Sequence, residues 1–267
     1  MKRIKVLEAF FLGIATFTWL GFFSGIVMAQ DEEPQFTTDF RLEDCKFRTK
    51  GENPFFILKP GYQLVLEGEE DEEEVRVVIT VLRGEKEKIF IPDIGVVIAR
   101  VVEERESVDG DLVEVSRNFF AICENTNDVF YFGEDVDICE DGSLVQDGNG
   151  FLCNGEEPSH EGAWRAGEPD DDGLAEPGII MPGTFLLGSR YFQEIADGIA
   201  LDRVEHVAMG LEVSTPAGEF ERCVEVLETT PLDPEEESVK RYCPGVGLVF
   251  DNGLELVDFG FNINDDD

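Results

Sequence analysis

The chain has 267 residues, and 59 acidic residues against 21 basic ones leave a formal charge of -38, with 42% hydrophobic residues and six cysteines. Such a charge excludes a basic nucleic-acid binder, because the chain repels phosphate backbones and holds no contiguous basic run to reverse that field. Ordinary apolar content, falling in short alternating blocks, excludes general disorder.

In chain order, Lys2, Arg3 and Lys5 precede an apolar stretch from Ala9 to Met28, and Val27-Met28-Ala29 puts small residues where a signal peptidase reads. This pattern predicts a secretory signal over residues 1–29, with the exported chain starting near Gln30, outside the cytoplasm in a periplasmic or extracellular setting. The rival reading is an uncleaved anchor, since about twenty apolar residues span a bilayer. After the signal no stretch is apolar enough to cross a membrane. Residues 30–52 read as a polar, turn-rich arm.

From Tyr62 the apolar period is two, the period of a strand with one face buried. Gln63–Glu67, Val75–Val81, Val96–Val102 and Leu112–Val115 are predicted strands, with Asp109-Gly110 as a tight hairpin turn. Further strands are expected at Phe119–Cys123, Val129–Phe132, Val204–Val213, Phe220–Thr229, Ser238–Tyr242 and Leu254–Phe259. Residues 133–178 read as an acidic excursion from the sheet. Arg190–Leu201 is ambiguous between helix and strand. Pro216 and Gly218 mark a chain reversal, and Pro244-Gly245-Val246-Gly247 a bend in a strand that resumes at Leu248. Residues 261–267 form an acidic tail.

Many antiparallel strands must close or pack face to face to hide their edges. The expected fold is mainly β: one domain over residues 53–260, built as a strongly curved antiparallel sheet or partial barrel. The abundant phenylalanines serve as core filling or, alternatively, line a cavity for an apolar ligand. An even cysteine count in an exported chain argues for disulfides. Cys139–Cys153 closes a short loop, Cys223 and Cys243 sit symmetrically about a turn near Pro231–Glu236, and Cys45–Cys123 follows by elimination. Zinc is disfavoured, as there is no C-x-x-C pair and His160 and His206 are the two histidines.

Asn53-Pro54-Phe55-Phe56-Ile57-Leu58-Lys59-Pro60-Gly61, Gly162-Ala163-Trp164-Arg165-Ala166-Gly167, Thr215-Pro216-Ala217-Gly218-Glu219-Phe220 and Tyr242-Cys243-Pro244-Gly245-Val246-Gly247-Leu248-Val249 form an ordered set of strings. Together they resemble a family of exported bacterial β-proteins of unknown function that share an NPxFxLKPG opening and a PAGxF…PGVGLV ending. The resemblance implies an exported, sheet-dominated domain and brings no catalytic residues.

No nucleophile elbow, phosphate loop or dinucleotide fingerprint occurs. Glu194 and Glu205 flank the ambiguous segment, where they would sit on a solvated face or make structural hydrogen bonds or, alternatively, face a cavity. The acidic excursion offers hard oxygen ligands for calcium at Asp135, Asp137, Asp141, Asp147 and Asn149, although no start matches the EF-hand loop. The alternative is a solvated loop, and the acidity could equally suit salty surroundings. The expected function is a noncatalytic, exported binding or scaffold protein with no cofactor except possible calcium. Its partner would be another protein or an apolar small molecule, with no nucleic acid. A carrier of an apolar ligand, a calcium-binding surface protein and a hydrolase are the alternatives.

Overall fold

The computed structural model describes residues 35–70, 72–148, 150–261 and 263, so the predicted signal and most of the acidic tail lie outside the described residues. Among the described residues the elements are one 3-10 turn at Leu42–Asp44 and seventeen strands. The strands are β1 (Phe47–Arg48), β2 (Tyr62–Glu70), β3 (Glu73–Ile91), β4 (Gly95–Val108), β5 (Asp111–Cys123), β6 (Val129–Ile138), β7 (Leu144–Asp147), β8 (Gly150–Cys153) and β9 (Trp164–Arg165). They continue with β10 (Glu176–Met181), β11 (Arg190–Phe192), β12 (Glu194–Ile195), β13 (Arg203–Thr215), β14 (Gly218–Thr229), β15 (Glu237–Cys243), β16 (Gly247–Asp251) and β17 (Leu254–Phe261).

One antiparallel sheet runs β11-β13-β14-β15-β16-β17-β2-β3-β4-β5-β6-β10-β12, with β1 added to β5 and β9 to β6. Its two ends, β11 and β12, are separated in the chain only by Gln193. Tyr191 pairs with Val204 of β13, while Glu194 pairs with Pro177 of β10. The sheet therefore curls until both ends meet the segment 190–195, yet it is not closed by a continuous ladder. A Cβ on Gly178 would lie 2.3 Å from the carbonyl oxygen of Phe192, so this convergence requires glycine there.

The strands outrun their apolar signals. β4 continues past Val102 through Glu103-Glu104-Arg105-Glu106, a charged run that reads as a strand boundary. Backbone pairing to β3 and β5 carries it on, and alternation sends 103 and 105 to one face and 104 and 106 to the other. On the outer face Glu103 pairs with Arg105 and with Arg117, each at 3.4 Å. Asp109-Gly110 makes the expected hairpin, with φ of 51° and 86°. Three expectations change. Pro244–Val246 is a hairpin turn, because Cys243 pairs back onto Gly247 and β15 and β16 run antiparallel. Arg190–Leu201 holds two short strands and no helix. The excursion also starts later than expected: Gly133–Ile138 continue β6, and β9 and β10 return to it.

The arm covers the outer face of β6. Phe47 meets Phe130 and Phe132 edge-on, with ring centroids 5.4 and 5.1 Å away, and Phe40 lies 6.1 Å from Phe130. Cys45–Cys123 pins the arm there; Cys223–Cys243 joins β14 to β15, and Cys139–Cys153 staples the small β7–β8 hairpin. These are the pairs expected from the sequence, and they suit an oxidising environment. The hairpin has its own small core of Val115, Cys139, Leu144 and Phe151. Replacing Cys139 and Cys153 by alanine should cost about 3 kcal/mol locally, from the loop-closure entropy returned to the open state. Amide exchange across β7 and β8 should then rise by about two orders of magnitude while the main sheet keeps its protection. Unchanged exchange would show that the hairpin does not need the staple.

Candidate functional site: a cavity inside the curled sheet

The curl encloses a cavity of about 270 Å³. Alternation along each strand decides what lines it. On β2 to β5 the inward positions are Tyr62 and Leu64, Ile79 and Val81, Val102 and Glu104, and Asn118 and Phe120. Phe55, Phe56 and Ile57 wall the apolar part, placed there by Asn53. The buried Asn53 amide donates to the carbonyls of Asn127, Met181 and Pro182 at 3.0–3.2 Å, and its Oδ1 accepts from the backbone N–H groups of Phe55 and Phe56. The Gly245 N–H donates to Pro54 O at 2.7 Å, and the Tyr62 hydroxyl donates to Val246 O at 2.8 Å. The Asn-Pro-Phe-Phe and Pro-Gly-Val-Gly strings thus meet and serve to build this wall.

The other part of the lining is charged: Glu104, Glu134, Glu194, Asp202, Glu228 and Asp251 surround one cation, Lys240. Lys240 Nζ lies 2.8 Å from Glu228 and 3.6 Å from Asp251. Burial alone would lower its pKa, but these two carboxylates outweigh that and hold it well above the usual lysine range. Gln193 donates to Glu228 at 2.8 Å, and Glu194, 3% exposed, accepts from the Asp202 N–H at 2.9 Å. Burial pushes the Glu194 carboxyl well above the carboxylate range, and Asp202 raises it further. Burial likewise lifts Glu134 to about 7, against a lowering hydrogen bond with Tyr131. The Glu104 carboxyl, deep in the molecule but facing the cavity, is lifted to about 7 by the same desolvation, partly offset by Lys240. No hydrogen bond or ion pair engages Glu104 among the described residues. A second cleft of about 280 Å³ shares Glu104, Asp202, Glu228, Lys240 and Asp251 and leads past Glu106 to the exposed Glu70 and Glu236. The charged part of the cavity therefore has an acidic approach.

Set against known proteins, the chain matches no family model, no curated protein and no solved structure. The chemistry of the site accordingly rests on its geometry.

Of the two glutamates singled out in the sequence, Glu194 lines the cavity, whereas Glu205 is held by Arg190 in a two-pronged contact at 2.7 and 2.9 Å. The calcium candidates are not drawn together. Asp135 binds Arg165 at 2.6 Å, and Asp137 faces Arg117 and His160 at 3.5 and 3.3 Å. Asp141 and Asp147 are exposed, and Asn149 lies outside the described residues. Among the described residues no three His, Cys, Asp or Glu side chains converge as metal ligands. His206 is buried away from the cavity, stacked on Phe185 at 3.7 Å. Its Nδ1 faces Leu186 O at 2.9 Å and so carries the hydrogen, leaving Nε2 to accept from the Tyr191 hydroxyl at 2.8 Å. Burial lowers its pKa to about 4, which keeps this pair neutral and structural.

Glu104, Asp202, Glu228, Lys240 and Asp251 escaped sequence reasoning. In an alternating strand a charged residue signals the solvent face, and here the inward face is itself partly charged. Parity was the one available signal: Glu104 and Glu106 continue the even positions of Val102.

Proposed function

We propose that the protein is an exported, noncatalytic binding protein that holds a small ligand with an apolar body and a cationic head inside its curled sheet. The observation that carries this reading is the two-part cavity: Phe55, Phe56, Ile57, Leu64 and Phe120 on one side, and the unengaged Glu104 carboxylate on the other. A wholly apolar guest would fill the first part and leave the carboxylates facing hydrocarbon, which is costly. Lys240 is already taken by Glu228 and Asp251, and an ammonium head supplies the counter-charge and hydrogen-bond donors for Glu104. The volume is near the lower end of typical ligand sites, about 300 Å³, and so favours a small guest. Three disulfides and the signal-like N-terminus support export.

Calorimetric titration with hexylammonium and with hexanol tests this. The amine should bind at least tenfold more tightly, and Glu104→Gln should remove that advantage while sparing the alcohol. Binding should strengthen from pH 5.5 to pH 8, because Glu104 must be ionised to hold the cation and its carboxyl titrates at about 7. The groups facing it, Lys240, Asp251, Glu106 and Glu114, shape that profile. Equal affinity for amine and alcohol, or no binding of either, would refute the proposal.

A further inference from the structure

Beside the chain that walls the cavity lies a surface unlike the rest of this acidic molecule. Cross-strand pairing of β3 with β4 sets Phe90 opposite Val96 and Lys88 opposite Ile98. Phe90, Val96 and Ile98 are 65%, 64% and 44% exposed, a contiguous apolar strip on a hairpin. The arm runs alongside, so that Lys46, Arg48, Lys50, Lys86, Val96 and Ile98 line one open groove. Three separate stretches of sequence thus gather five exposed cations around three exposed apolar side chains.

The acids in these stretches offset them only in part. Glu124 is shared by Lys46 and Arg48, and Glu87 is taken by Arg165 at 3.2 Å. Glu52, Glu85 and Asp93 are exposed without an ion pair to the patch, and no carboxylate among the described residues pairs with Lys50, Lys86 or Lys88. At about 0.1 M salt the field of more distant charges is screened within roughly 10 Å.

We propose that this patch docks the protein on an anionic lipid bilayer surface. The lysines would meet lipid phosphates while Phe90, Val96 and Ile98 enter the region between headgroups and acyl chains. A soluble polyanion would satisfy the cations alone and leave the apolar strip in water, so the combination selects the bilayer. The placement also has a use. From the groove the chain runs directly to Phe55–Ile57, which wall the apolar part of the cavity, so docking would bring that wall next to the lipid. The inference stands on the surface alone and does not depend on the ligand assigned to the cavity.

Vesicle flotation of the exported protein, isolated with its disulfides intact, tests it. The protein should float with vesicles of phosphatidylcholine mixed with phosphatidylglycerol, remain behind with phosphatidylcholine alone, and be released by high salt. Lys86→Glu with Lys88→Glu should reduce binding at least tenfold, and Phe90→Ser with Val96→Ser should do the same at low salt. A parallel charge reversal of the remote Arg222 should have no effect. The thermal midpoint of each variant checks that it folds, and Ile98→Ser replaces any variant that does not. Absence of binding to anionic vesicles overturns the proposal. So does equal binding by the patch variants, or capture by soluble polyglutamate that survives Phe90→Ser with Val96→Ser; that last result would identify an acidic protein as the partner.

Discussion

Replacing Glu104 and Glu134 together by glutamine is expected to stabilise the protein at pH 8, less so at pH 5, and to leave it nearly unchanged at pH 4. Both carboxyls are lifted by burial to about 7, so the folded state binds their protons more tightly than the unfolded chain does. The stability they contribute is fully present below the unfolded carboxyl range, near 4.5, and is lost as pH rises through about 7. Above that pH folding must bury the anions, whereas glutamine keeps the neutral shape at every pH. One pKa unit corresponds to about 1.4 kcal/mol. Because both groups keep contact with the cavity, a gain of about 2 kcal/mol per site at pH 8 is the expected size. Urea unfolding of the wild type and the variant across pH 4–8 measures it. Parallel curves would mean that the two carboxyls ionise in the fold as freely as in water. The same substitution should abolish selection of an ammonium head, so these carboxylates would exchange stability for binding.

Lys240→Met is the second large effect. Among the described residues Nζ is the only cation in the cavity lining, and it faces Glu228 and Asp251 from β15. Methionine keeps much of the stem but strands two partly buried carboxylates beside each other. Removing one member of a buried pair costs about 3–5 kcal/mol, most of it the penalty on the charge left behind. Asp251 is already raised by burial and will take up a proton more readily once the lysine is gone. The loss should therefore be largest near pH 8 and shrink toward pH 5, opposite in sign to the glutamine variant but with the same pH trend. A loss independent of pH would point to packing of the lysine stem as its main role. A variant as stable as wild type at pH 8 would show that Glu228 and Asp251 reach water without it.

What the sequence determined by itself is the local chemistry of the strands and their reversals. Val75, Val77 and Val81 alternate as a half-buried strand must, Asp109-Gly110 supplies two residues that tolerate positive φ, and Thr215–Gly218 turns the chain between β13 and β14. Local spacing also made two disulfides legible, Cys139–Cys153 across a short loop and Cys223–Cys243 about a turn, and Cys45–Cys123 followed by elimination. Curvature was legible as a necessity, because so long a run of antiparallel strands must hide its edges.

Tertiary structure alone decided which charges lie inside. Glu104 and Glu103 are adjacent, similar residues in one charged run. Alternation puts them on opposite faces of β4, and only the curl of the paired sheet decides that Glu104 faces the cavity while Glu103 meets arginines on the outer surface. The same holds for the basic patch. Lys46, Lys50 and Lys86 are scattered singly through an acidic chain, and their meeting depends on the arm being pinned through Cys45 to Cys123 beside the β3–β4 hairpin. Alternation is a local property of one strand. Which side of the sheet becomes the inside, and which distant side chains share it, is fixed by long-range pairing that no short window of sequence contains.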